Sequence, residues 1–112
     1  MGIKFTNYAT TTLDVGISDA DLSLGVAAGT GTLFPTLEST DYFYCTLSSG
    51  GTKEIVKVTA RSTDTFTIVR AQEGTAASAF LAGTSVELRL TSQGISDVTN
   101  LQYLSTFKGG II

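Results

Sequence analysis

Residues 41 to 90 set the strongest limit on what this chain can fold into. They contain Asp41-Tyr-Phe-Tyr-Cys-Thr-Leu47, then Lys53-Glu-Ile-Val-Lys-Val-Thr-Ala-Arg61, Thr65-Phe-Thr-Ile-Val-Arg-Ala71 and Thr84-Ser-Val-Glu-Leu-Arg-Leu90, separated by Gly, Ser and Asp clusters. β-Branched side chains are stiff at χ1 and aromatic ones need a broad surface, so both suit a half-buried pleated sheet. Short runs of this kind between turn residues predict consecutive antiparallel strands. Alternation assigns their faces. Phe43, Cys45 and Leu47 point to the core, while Tyr42, Tyr44 and Thr46 share the other face, where the tyrosine hydroxyls reach water or a partner. Ser48-Ser49-Gly50-Gly51 makes a hairpin turn, since both glycines accept positive φ. Val56, Val58 and Ala60 form the next core face. Lys53, Lys57 and Arg61, with Ile55, lie opposite, and Lys57 is expected to pair with Glu54. Ser62-Thr63-Asp64 turns the chain, and Phe66 and Ile68 lie opposite Thr65, Thr67 and Val69. In the last run Val86, Leu88 and Leu90 point inward and Glu87 and Arg89 outward.

The flanking segments extend the pattern. Ile3 and Phe5 alternate with Lys4 and Thr6, which predicts a first strand or an arm that orders on a neighbour. Leu13, Val15 and Ile17, then Leu22, Leu24 and Val26, predict a β-hairpin over residues 10 to 27 that turns at Ser18-Asp19-Ala20-Asp21. Gly29 to Pro35 is a loop whose apolar Leu33 and Phe34, with Leu37, fold onto the core, and Pro35 bars a central strand. Residues 72 to 83 form a long connection. Glu73-Gly74-Thr75 is its tight turn, and Ala76 to Leu81 make a helical turn that tucks Phe80 and Leu81 inward. Ile95, Val98, Leu101 and Leu104 fit a helical period, with Ser96 or Asp97 as its cap. The expected organisation is an arm or edge strand at residues 1–9, a β-domain at 10–92, and an arm with a short helix at 93–112. The expected class is all-β: a small antiparallel sandwich or barrel-like domain, jelly-roll or β-tulip-like, with extended N- and C-terminal arms.

Composition restricts function. A chain of 112 residues is one domain. Only 15% of it is charged, against about 25% in an average domain. A coat of Thr, Ser and Gly is a poor colloid by itself, which points to a surface covered in an assembly. The net charge is −3 and the seven basic residues are scattered, so no nucleic-acid footprint is present. No apolar run approaches the roughly 20 residues that span a bilayer, so no membrane partner is expected. The chain has no His, which removes Ser-His-Asp and Cys-His catalysis. The single Cys45 reads as a small buried hydrophobe. Asp14, Asp19, Asp21 and Asp41 occupy turn and strand-end positions where Asp is ordinary, and Asp19-x-Asp21 lacks the rest of a calcium loop. The Gly29-x-Gly31 pair lacks the third glycine and the helix of a phosphate fingerprint. No catalytic residue, metal ligand or cofactor is expected. The apolar ends are expected to be assembly contacts: Ile3, Phe5 and Tyr8 at one terminus, and Leu101, Tyr103, Leu104, Phe107, Ile111 and Ile112 at the other.

Six motifs occur in order: Phe5-Thr-Asn-x-Ala-Thr-Thr-Thr-Leu13, Gly29-Thr-Gly31-x-Leu-Phe-Pro35, Asp41-Tyr-Phe-Tyr44, Glu54-Ile-Val-Lys-Val-Thr-Ala-Arg61, Val69-Arg-x-Gln-Glu-Gly-Thr75 and Val86-Glu-Leu-Arg-Leu90. Over about residues 5 to 92 the series resembles a structural module of tailed-bacteriophage virion proteins. That module occurs in capsid decoration (cement) proteins and in tail-fibre attachment regions. The resemblance implies a structural protein of the virion, on the capsid surface or alternatively in the tail. It brings no catalytic residue. Its expected partners are further copies of itself, as a homotrimer, and the major capsid protein, or alternatively other tail proteins. The short chain, ending in an apolar arm, favours the cement role over a fibre.

Overall fold

A computed structural model describes residues 2–6, 9–89 and Asp97. The all-β class predicted above is the class observed. The strands are β1 (Gly2–Ile3), β2 (Thr10–Thr12), β3 (Ser23–Gly25), β4 (Asp41–Ser49), β5 (Thr52–Ser62), β6 (Thr65–Gln72) and β7 (Ser85–Glu87). They hydrogen-bond in the order β2-β7-β4-β5-β6-β3, all antiparallel, with β1 added in parallel to β4. The two edge strands then meet, because Leu13 and Val26 form an antiparallel bridge. Around it the Asp14 N–H donates to the Gly25 carbonyl (2.9 Å) and the Ala27 N–H to the Thr12 carbonyl (3.0 Å). The sheet thereby curls into a barrel-like form, in which the two end strands meet at one bridge.

The barrel closes around Phe34, Phe43 and Phe66. Their ring centroids lie 5.0 to 5.7 Å apart, with Phe66 edge-on to both of the others. Such aromatic pairs add about 0.5–1.5 kcal/mol each beyond burial. Cys45, Leu47, Val56, Val58, Ile68 and Val86 complete the layer. The inward faces predicted for β4 and the start of β5 are therefore correct, β6 turns Phe66 and Ile68 inward, and the predicted Gly50-Gly51 turn is present, with φ of +54° and +92°.

Five expectations are corrected. Residues 10 to 27 do not make a full hairpin: β2 and β3 are three residues each, they lie at opposite ends of the sheet order, and Val15 and Leu22 face outward. Ala60 leaves the core face because a bulge between Val58 and Ala60 shifts the register against β6. Leu33 lies exposed in a 3-10 turn (Thr30–Leu33), while Phe34 enters the core. The connection after β6 forms no helical turn at residues 76 to 81. Phe80 bridges Ile17 and is buried, whereas Leu81 is 81% exposed. Finally, Glu54 does not pair with Lys57.

Glu54 lies on the core face and is fully buried. Arg70 grips it with two parallel hydrogen bonds, Nε to Oε2 (2.9 Å) and Nη2 to Oε1 (2.8 Å). The Ala71 and Ser78 N–H groups complete its shell, at 2.9 Å each. Arg70 also donates to the carbonyls of Ser18, Asp21 and Ser78. One buried pair thus ties β5 and β6 to the two long connections, residues 13–22 and 73–84. Burial pushes the Glu54 carboxyl upward, but Arg70 and the two backbone donors outweigh it and hold it below the ordinary carboxylate value.

A second latch joins the β5–β6 turn to the Gly-x-Gly loop. Asp64 accepts from the N–H groups of Gly29 (3.0 Å) and Gly31 (2.8 Å), which keep its carboxyl below its ordinary value. Arg61 donates to the carbonyls of Pro35 and Thr63 from the same place. The neighbouring Thr63 has φ of +57°, an unusual setting for a β-branched residue. Strain of this kind persists only where surrounding contacts over-determine it, and here those contacts are the Asp64 and Arg61 bonds.

Candidate assembly interface

The two latches use the most conspicuous polar side chains of the chain internally. The Gly29-x-Gly31 loop does hold an anion, but the anion is Asp64 of the same chain. Asp21 accepts from the Ser18 N–H within its own turn (2.8 Å). Cys45 is fully buried, and burial drives its thiol well above the ordinary value, away from the reactive thiolate. Among the described residues no three His, Cys, Asp or Glu side chains group as a metal site, and no helix is long and apolar enough to cross a membrane.

What remains is the outer face of β4, centred on Tyr42. Strand β5 places Lys57 next to it, with Nζ 4.4 Å from the centroid of the Tyr42 ring. Tyr44 lies two residues along, edge-on to Tyr42 at 5.6 Å. Both hydroxyls donate to the same Asp97 oxygen, Tyr42 at 2.5 Å and Tyr44 at 3.4 Å. On the backbone side, β1 pairs Gly2 with Asp41 and Ile3 with Tyr42, and the Lys4 N–H donates to the Tyr42 carbonyl (2.8 Å). Lys4 Nζ stands 3.9 Å from Asp41, an exposed cation beside a buried carboxylate. Residues from both ends of the chain therefore converge on one tyrosine.

This face is more enclosed than alternation implies. Tyr44 is only 6% exposed, and Thr46 is also buried. The half-exposed face predicted for these residues holds for Tyr42 and fails for Tyr44, because period two reports which side of the sheet a residue takes and not what lies on that side. Of the predicted assembly residues, Ile3 is half-buried in β1 and Phe5 is 43% exposed beyond it. Tyr8, Leu101, Tyr103, Leu104, Phe107, Ile111 and Ile112, like Leu90 and the helical pattern of residues 95–105, lie outside the described residues. Asp97 is one of the two residues expected to cap that helix, the other being Ser96; its carboxylate accepts from tyrosines more than 50 residues away, and no local spacing signals that.

The cluster has a definite electrostatic character. Burial, reinforced by the Asp97 carboxylate, raises both phenols, Tyr44 to about 12 and Tyr42 further. Both hydroxyls thus stay protonated donors at neutral pH. A phenol whose value rises on folding contributes stability that is fully present below its unfolded value and lost as pH climbs through the folded one. The expected result is an alkaline transition beginning above pH 10 and passing through about 12, seen as delayed tyrosinate absorbance with loss of fold. In Asp97→Asn the tyrosines should ionise earlier. An unchanged titration in that variant would show that Asp97 does not act on them.

No protein-family model matches the sequence, and no curated protein matches it.

Proposed function

We propose that this protein is a structural component of a bacteriophage particle: a capsid cement protein whose copies sit on the outside of the shell and tie neighbouring major capsid subunits together. The carrying observation is the convergence of residues from both ends of the chain on the Tyr42 face of a barrel-like sheet. Segments that start from one face of a stiff body are placed to reach adjoining subunits together. The motif series lends support of a particular kind. Gly29, Gly31, Glu54, Arg61 and Arg70 of these motifs take part in the two internal latches. Those motifs therefore describe a framework, and a likeness in them is a likeness of scaffold.

The role is mechanical and makes or breaks no covalent bond. Copies close on themselves as a cyclic trimer, the form in which a head-to-tail interface satisfies every subunit. A bound trimer stabilises the shell by RT ln(1 + [L]/Kd), about 2.7 kcal/mol when free protein exceeds Kd a hundredfold. Nucleic acid and membrane take no part. Quantitative mass spectrometry of purified particles, with cryo-electron microscopy, tests this. The expected outcome is a copy number of the same order as the major capsid protein and density on the outer shell. Few copies per particle, with density at the tail, would replace this role by tail-fibre attachment.

A further inference from the structure

We propose that the Asp41–Phe43 edge of β4 is an acceptor for the N-terminal strand of a second copy of this chain, so that β1 is exchanged between neighbours. This rests on the assembly role above and specifies how the copies hold one another. The reason lies in how β4 is covered. It runs for nine residues, and one edge is paired to β5 from Phe43 to Ser49. On the other edge β7 covers only Thr46 to Ser48. Register parity puts β1 on that second edge. Beside the two-residue turn, the odd-numbered residues of β4 bond β5, and the even-numbered ones, Tyr42 included, turn their backbone groups the other way. Beyond the end of β7 that edge is closed by Gly2 and Ile3, the one parallel pairing among the described residues.

The closure is slight. The flanking bonds are Gly2 N–H to the Thr40 carbonyl at 3.4 Å and Lys4 N–H to the Tyr42 carbonyl at 2.8 Å. Ile3 is half-buried, Phe5 is 43% exposed, and the Lys4–Asp41 pair is long at 3.9 Å with its lysine in solvent, a kind that contributes about 0–1 kcal/mol. Ala9, by contrast, is buried, and its carbonyl receives the Leu88 N–H at 3.0 Å. Ile3 and this fixed post are six Cα steps apart in sequence, a span of at most roughly 20 Å.

The occupant is a second copy because the edge already accepts this segment in a defined register. The same Lys4–Asp41 charge match and the same backbone bonds form whichever chain supplies the strand. Close packing of identical subunits then decides between the two arrangements, and exchange of an identical element is a low-cost route to assembly. It also places Phe5 between two subunits, where its exposed ring is covered. Strand addition at a sheet edge draws affinity from main-chain bonds and specificity from alternate side chains, here Ile3 beside Tyr42.

Photo-crosslinking of isotope mixtures tests the exchange. Full-length protein carrying p-benzoylphenylalanine in place of Ile3, or in a second preparation in place of Phe5, is mixed as labelled and unlabelled chains and irradiated. Digestion and mass spectrometry then assign each crosslink. The expected result is crosslinks to residues 40–44 that join labelled to unlabelled chains. Lys4→Pro, which removes the N–H given to Tyr42, should reduce those hybrids severalfold and leave the β circular dichroism spectrum unchanged. Crosslinks confined to single-isotope chains from both positions, or hybrids insensitive to Lys4→Pro, would overturn the proposal. The assay uses purified protein, so its failure is separate from that of the virion role. A shell protein without hybrids loses only strand exchange, and a protein that exchanges strands but is missing from particles loses only the virion role.

Discussion

Replacing Arg70 by methionine is expected to destabilise the protein by about 3–5 kcal/mol, a large share of the roughly 5–15 kcal/mol that holds a small domain folded. Methionine keeps much of the apolar stem but leaves the Glu54 carboxylate, which has no contact with solvent, without its principal counter-charge. It also frees the carbonyls of Ser18, Asp21 and Ser78. Urea denaturation of Arg70→Met, Glu54→Met and the double variant measures the pair. The double variant should be more stable than Arg70→Met, because no charge is then buried alone. If the two single losses simply add, the pair is not coupled and the clamp does not organise the connections.

Acid provides an independent check on the same clamp. Glu54 is held below its ordinary value of 4.5 in the folded protein. Its contribution is therefore present above pH 4.5 and lost as pH falls through the lower folded value. In Arg70→Met only the Ala71 and Ser78 N–H groups still oppose burial, so protonation relieves the lone charge and the deficit relative to the parent protein should shrink as the solution is acidified. A deficit constant from neutral pH down through 4.5 would assign the loss to packing.

The second large effect concerns two glycines with a single residue between them. Gly31→Ala is expected to cost about 3 kcal/mol, at the upper end of overpacking. Its Cβ would fall 1.9 Å from the Thr63 carbonyl oxygen and 2.8 Å from Asp64 Oδ1. The nearer atom is backbone at a turn already at positive φ, so the loop must withdraw and give up the Asp64 bonds. Gly29→Ala meets nothing within 4 Å and is strained only by its φ of +81°, a cost of about 1–2 kcal/mol. Thermal or chemical unfolding should rank Gly31→Ala well below Gly29→Ala, with faster amide exchange at the β5–β6 turn in the former. The reverse order would mean that the latch adds little.

The framework was legible where chemistry is local. Alternation marked Phe43, Cys45, Leu47, Val56, Val58 and Val86 as inward, and all are buried; it put Phe66 and Ile68 on one face, which the structure turns to the core. The same rule misplaced Ala60, because a bulge inserts a residue without any mark in the pattern. It also made a hairpin of residues 10 to 27, whose two arms share a single bridge while each pairs mainly with a distant strand. Leu81 illustrates a further limit. An apolar residue beside Phe80 reads as core, yet the Ile17 bridge turns Phe80 inward and leaves Leu81 outside. The candidate interface was only partly readable. Ile3 and Phe5 stood out as terminal apolar residues. Tyr42 stood out as an aromatic on an outer face, but its meeting with Asp97, Lys57 and β1 did not.

By itself, the order of residues determined that this chain is β-structured, which apolar side chains of β4 and of the start of β5 turn inward, and where its glycine hairpin lies. Those properties depend on neighbours one to four positions away, through steric preference and the two-residue repeat of a strand. Tertiary structure alone decided that Glu54 meets Arg70, that Asp64 fills the Gly29–Gly31 loop, and that residues near both termini meet at Tyr42. Each of those contacts joins groups between 16 and 55 positions apart, or across a strand pairing that no turn specifies. Their partners are chosen by the closure of the sheet, which brings distant backbone into register and leaves each buried charge one place to be satisfied.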